Sequence, residues 1–90
     1  MKKNAKASKN KVTVYSMPTC PYCRMAKDYL RDNGIEFNDV DVSANHEAAH
    51  EMISKSGHNG VPQIEINGKI IVGFDRPALE RELKRLKTDL

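Results

Sequence analysis

From Val12 onward the apolar positions of the chain fall into seven short segments, each with its own period. Val12-Thr13-Val14-Tyr15 is a β-branched and aromatic run closed by Pro18 and Thr19, which predicts a first strand. Pro21 suits a first helical turn, where its missing N–H would have been unpaired anyway. Ala26, Tyr29 and Leu30 then recur at helical spacing as far as Asn33-Gly34, so a helix follows with Cys20 at its N-terminus. A second strand is expected around Glu36 to Asp41, although Phe37, Val40 and Val42 cannot share one face at a strict period of two. Ser43 or Asn45 can cap a second helix with Ala49, Met52 and Ile53 as its apolar stripe and Gly57 at its left-handed end.

Gln63-Ile64-Glu65-Ile66 and Lys69-Ile70-Ile71-Val72 are strand-like runs joined by Asn67-Gly68, the strongest short-range hairpin signal. Asp75 is a good N-cap and Pro77 is acceptable in a first turn, while Leu79, Leu83, Leu86 and Leu90 mark one face of a last helix. The order β-α-β-α-β-β-α makes the first two strands parallel across a helical crossover and adds an antiparallel hairpin. The expectation is an α/β protein with a thioredoxin-like layout, a four-stranded mixed sheet flanked by three helices.

Composition adds limits rather than a fold. Ninety residues suffice for one core and one site. No stretch approaches the length of apolar chain that spans a bilayer, and the basic N-terminus is not followed by the apolar run of a secretory signal, so a cytoplasmic protein without a membrane partner is expected. The net charge of +3 is unevenly placed. Residues 1–11 hold five of the fifteen basic residues and no acid, leaving ten basic against twelve acidic residues in 12–90. The chain therefore reads as a basic, flexible N-terminal arm (1–11) before a slightly acidic domain (12–90). That body lacks the basic stripe of a nucleic-acid binder, and no specific nucleic-acid partner is expected. A monomer is expected.

The only cysteines, Cys20 and Cys23, lie two residues apart. A structural staple normally closes a much longer loop, so this spacing favours chemistry over support. Exchange with a disulfide needs a thiolate, and a helix N-terminus favours one through unpaired N–H donors and the positive end of the helix dipole, with Arg24 and Lys27 adding charge. Cys20 is thus the expected attacking thiol. Cys23, an i,i+3 neighbour, is close enough to resolve the mixed disulfide. Such a cycle moves two electrons and needs no bound cofactor.

Cys20-Pro21-Tyr22-Cys23 after Val14-Tyr15-Ser16, with Gly60-Val61-Pro62 before a hairpin, resembles the glutaredoxin family over residues 12–90. The pattern Ser56-Gly57…Gly60-Val61-Pro62 with Val72-Gly73-Phe74-Asp75 is most similar to short bacterial glutaredoxin-like proteins of the YruB type. The resemblance implies a dithiol oxidoreductase acting on protein or low-molecular-weight disulfides. It implies a cis proline at Pro62, a backbone at Val61 that pairs with the incoming thiol chain, and a substrate groove bordered by Tyr22, Gly73, Phe74 and Asp75. Electrons would come from glutathione or from a thioredoxin-reductase-type enzyme. Glutathione-dependent members usually have Lys shortly before the first Cys and a Gly-Gly-x-Asp-Asp turn, where this chain has Met17 and Val72-Gly73-Phe74-Asp75-Arg76. Two charged anchors for the tripeptide are therefore missing, and Gly73-Phe74 resembles in part the redoxins that serve ribonucleotide reductase and take electrons from thioredoxin reductase.

Other chemistries compete less well. His46-Glu47-Ala48-Ala49-His50 is a literal H-E-x-x-H, but Ile53 and Ser56 break the metzincin continuation and the chain leaves little room for a second lobe, so solvent-facing histidines are expected. His58, after Gly57, reads as a polar turn residue. A zinc knuckle would need a second Cys/His pair, and no metal site is expected. The alternative from another class is a non-catalytic module binding an iron–sulfur cluster or a metal, disfavoured by Pro21 in the loop and by the weakened glutathione anchors.

Overall fold

A computed structural model describes residues 11–88, and side chains through residue 85. The basic arm is thus outside the described residues except for Lys11, as is Leu90, and the side chain of Leu86 is likewise outside them. The elements are β1 (Val12–Ser16), α1 (Pro21–Asp32), β2 (Asn38–Asp41), α2 (His46–Ser56), β3 (Gln63–Ile66), β4 (Lys69–Val72) and α3 (Arg76–Thr88). The sheet order is β2-β1-β3-β4, with β1 parallel to β2 and antiparallel to β3, and β3 antiparallel to β4. This is the thioredoxin-like fold.

Strand alternation divides the interior in two. Val12, Val14, Ile64, Ile66 and Ile71 point to the face covered by Ala26 and Leu30 of α1 and Leu79 and Leu83 of α3. Tyr15 and Val42 point to the other face, against Ala48 and Met52 of α2. The register Val12↔Ile66 and Val14↔Ile64↔Ile71 places the β-branched residues opposite one another, where cross-strand pairs stabilise the sheet. Ion pairs fasten the outer elements. Lys55 of α2 reaches Glu65 of β3 at 3.1 Å, and Tyr15 donates its hydroxyl to the same carboxylate at 3.3 Å. Lys69 of β4 meets Glu82 of α3 at 3.2 Å.

Local signals act as expected at the turns. Asn67 (φ 49°) and Gly68 (φ 90°) both take positive φ, as a two-residue hairpin of the primed type requires. Lys11 donates its N–H to Asn67 Oδ1, and its carbonyl accepts the Asn67 N–H, both at 2.8 Å. Gly57 ends α2 at φ 76°.

Two details differ from the sequence reading, and the choice between its two caps for α2 is settled. Strand β2 begins at Asn38 rather than Glu36, so Phe37 is free to pack with the α1/α3 cluster while Val40 and Val42 face α2. The arrangement agrees with a period of two, because Phe37 lies an odd number of residues from Val40 and Val42 and both faces of the sheet are covered. Asn45, not Ser43, caps α2 by accepting the Ala48 N–H at 3.0 Å, whereas Ser43 turns back to Asp41. The buried stripe of α2 is Ala48 and Met52 with Ala49 at its border, and Ile53 is 42% exposed. An i,i+4 pair suffices for a helix that meets only the narrow sheet face, and Ile53 lies about 100° further round.

Candidate active site

The C-terminal end of β1 delivers the chain through Met17, Pro18 and Thr19 to Cys20, which is the N-cap of α1. Its extended backbone (φ −98°, ψ 111°) lets Sγ accept the Cys23 N–H at 3.1 Å. That N–H is one of the donors a helix start leaves unpaired, and here it is directed at the sulfur. Cys20 is half-buried, while Cys23 is 1% exposed. Both are free thiols. Burial and a hydrogen bond with Cys20 push the Cys23 thiol up to about 11, against smaller opposing effects of the Met17 backbone and the Lys27 charge. The two sulfurs are thus unequal, one reachable and one screened.

The second wall is the loop before β3. The Val61–Pro62 peptide is cis, and the Val61 carbonyl lies 4.0 Å from Cys20 Sγ. Pro62 is fully buried, and its carbonyl accepts the Gly73 N–H at 2.8 Å, which joins the end of β4 to the proline loop. Gly73 holds φ at 84°, a region that disfavours side chains. Fully buried Gln63 clamps the same loop. Its Nε2 donates to the carbonyls of His58 (2.9 Å) and Gly60 (2.8 Å), so the three residues before Val61 are held from the sheet.

Of the residues expected at the site, the structure gathers Cys20, Cys23, Val61 and Pro62, with Gly73 tied to Pro62. Tyr22 is 61% exposed in the first turn of α1. Phe74 packs on the core edge-on to Tyr29, with ring centroids 6.0 Å apart. Asp75 is occupied as a cap of α3, accepting the Ala78 N–H at 3.2 Å. Arg76 lies over the Tyr29 ring, 5.4 Å from its centroid.

The sequence reading counted Lys27 as added charge but passed over its partners Asp39 and Ser16. Lys27 Nζ lies 2.9 Å from Asp39 Oδ2 on β2, and Ser16 of β1 donates to Asp39 Oδ1 at 2.8 Å. Burial opposes the charged Asp39 carboxyl, but the hydrogen bonds from Lys27 and Ser16 and the Lys27 charge outweigh it and hold the carboxyl below its ordinary 3.8. A depressed carboxyl contributes stability in full above that ordinary value and loses it as pH falls through the folded value below. The melting temperature is therefore expected to fall more steeply between about pH 4 and pH 2 in the native protein than in Asp39→Asn. Melting followed by circular dichroism across that range tests this, and identical acid limbs would contradict it.

His46 and His50 are exposed on α2, and His58 is exposed in the loop. Among the described residues no group of three or more His, Cys, Asp or Glu is arranged to hold a metal ion, and none of the helices there is long and apolar enough to cross a membrane.

Comparison with known proteins decides the family. The glutaredoxin family model matches residues 12–71, which include both cysteines and the cis-proline loop. The chain belongs to the glutaredoxin family. It is 40% identical over 74 residues to a glutaredoxin-like 8.6 kDa protein of the rubredoxin operon of Clostridium pasteurianum, covering 82% of this chain and 99% of that one. It is 41% identical over 64 residues to glutaredoxin 3 of Escherichia coli, covering 71% of this chain and 77% of that one. The crystal structure of a glutaredoxin from Methanosarcina mazei superposes with a TM-score of 0.73 at 32% identity, covering 81% of this chain and 77% of that one. Membership carries a thiol-redox role.

Proposed function

We propose that this glutaredoxin reduces protein or low-molecular-weight disulfides by a dithiol cycle, as a cytoplasmic monomer without a bound cofactor, and draws its electrons from a thioredoxin-reductase-type flavoenzyme in preference to glutathione. The observation that carries the cycle is the Cys20 sulfur at the start of α1, accepting the Cys23 N–H at 3.1 Å with the Val61 carbonyl on its other side. Cys20 as thiolate attacks one sulfur of the target disulfide and expels the other half as a thiol. An incoming chain pairs with the Val61 backbone, and Tyr22, Gly73, Phe74 and Asp75 border its groove. Cys23 then attacks Cys20, the mixed disulfide breaks, and the second thiol leaves.

The donor preference is supported by what stands at the two glutathione anchors. Met17 is 37% exposed and carries no charge to meet a carboxylate. Arg76, in place of an acid that would meet the glutathione amine, is stacked on Tyr29. Charge-assisted hydrogen bonds are worth about 1.5–3 kcal/mol each. Losing two weakens glutathione binding by roughly two orders of magnitude. A coupled assay comparing glutathione plus glutathione reductase with thioredoxin reductase, following NADPH consumption in both, is expected to show at least about tenfold faster turnover with thioredoxin reductase. Robust turnover with glutathione and none with thioredoxin reductase would overturn the donor assignment.

A further inference from the structure

The dithiol cycle places an unusual demand on Cys23. It is 1% exposed, and burial together with Cys20 pushes its thiol up to about 11, yet it must become an anion to resolve the mixed disulfide. Lys27 is the charged side chain best placed to meet that demand. It follows Cys23 by one helical turn, on the same face of α1, and helical side chains lean toward the N-terminus, here toward the cysteines. Its side chain is 19% exposed and is fixed by Asp39, which Ser16 fixes in turn. It also stands between two small cavities. One of about 180 Å³ is lined by Cys20, Arg24 and Arg31 together with Lys27, and the other, of about 210 Å³, by Ser16, Asp39 and Asp41 together with Lys27.

We propose that Lys27, held by Asp39 and Ser16, is a positioning residue for the second exchange: its ammonium compensates the negative charge on Cys23 while that sulfur attacks Cys20. This rests on the dithiol reading above. In the step, Cys23 releases its proton to solvent and forms a bond to Cys20 Sγ. The bond between Cys20 and the substrate sulfur breaks, its electron pair leaves on the substrate sulfur, and that thiolate takes a proton from solvent. Over both exchanges the substrate disulfide gains two electrons and two protons, and the Cys20/Cys23 dithiol loses them.

The groups acting here predict opposite signs for two substitutions. Cys23 feels Cys20 and Lys27 along α1 and the Met17 backbone from the turn after β1. Lys27 in turn faces Asp39 and Asp41 from β2 and shares its cavity with Arg24 and Arg31 of α1. Removing the cation makes the Cys23 anion harder to form, and removing the carboxylate that competes for the cation makes it easier.

The test is single-turnover reduction of a chromogenic aromatic disulfide by the full-length reduced protein, in which the first thiol released reports attack by Cys20 and the second reports resolution by Cys23. In Lys27→Met the second release is expected to be about tenfold slower at pH 7, with its pH profile moved to higher pH, and Lys27→Arg is expected to restore most of the rate. Asp39→Asn is expected to move the profile to lower pH, and this sign decides the matter alone if Lys27→Met does not fold. An unmoved profile in Lys27→Met, or a shift of both variants in one direction, would overturn the inference while leaving the dithiol cycle intact. A native protein that shows no second release would overturn the dithiol cycle and this inference with it.

Discussion

Cys20→Ser is expected to abolish disulfide reduction, by roughly three orders of magnitude or more, whereas Cys23→Ser is expected to complete the first exchange and stop with the substrate bound to Cys20. The difference follows from geometry. Serine at position 20 keeps the cap on α1, since its oxygen can accept the same N–H, but an alcohol at neutral pH is a far weaker nucleophile than a thiolate. The substitution at position 23 leaves untouched the donor that matters, because the 3.1 Å contact to Cys20 comes from the residue's backbone N–H. What it removes is the sulfur that would displace the substrate. Intact-mass measurement after mixing each variant with a model disulfide should find one added thiol on Cys23→Ser and none on Cys20→Ser. Faster alkylation of Cys23 than of Cys20 near neutral pH would reverse the assignment of nucleophile, and it would contradict a Cys23 that is only 1% exposed.

The largest effect on stability is expected at Leu30. Its side chain is fully buried in the last turns of α1, in one cluster with Val14, Ile64 and Leu79. Val14 and Ile64 are opposed in the sheet register and Leu79 sits in the first turns of α3, so the neighbours cannot collapse into the space a truncation would leave. Leu30→Ala is expected to cost about 2–5 kcal/mol, combining lost transfer energy with a residual cavity. A domain of this size has only about 5–15 kcal/mol of net stability to lose. Urea denaturation should show a lower midpoint with an unchanged slope, and a cost under about 1 kcal/mol would mean that α1 is held chiefly by other contacts. Because α1 carries both cysteines, Cys20 alkylation measured below the unfolding transition should remain as fast as in the native protein. That would separate loss of stability from loss of site geometry.

Much of this glutaredoxin is legible along the chain, because the signals concerned act over a few residues. Periods of two and of three to four separate strands from helices, Asn67-Gly68 supplies the two positive φ angles its hairpin needs, and Gly57 marks the end of α2. The Cys20-Pro21-Tyr22-Cys23 spacing at a helix start already implies two sulfurs within reach of each other. What the chain could not reveal depends on register and on which face meets which. Phe37 and Val40, three residues apart, take opposite faces as alternation requires, but only the packing shows that each face is covered and by which helices. Ile53 has the apolar character of a core residue but lies past the edge of the contact α2 makes with the sheet. Gln63 reads as a polar residue opening a strand until the fold aims its amide at the His58 and Gly60 carbonyls. Lys27, Asp39 and Ser16 come from three elements, and only the parallel pairing of β1 with β2 beneath α1 brings them together. Local periodicity determined the elements and set both cysteines at a helix start; the packing of β1, β2 and α1 decided how deeply Cys23 is screened and that Lys27 and Ser16 meet on Asp39, since burial and ion pairing belong to neighbours in space.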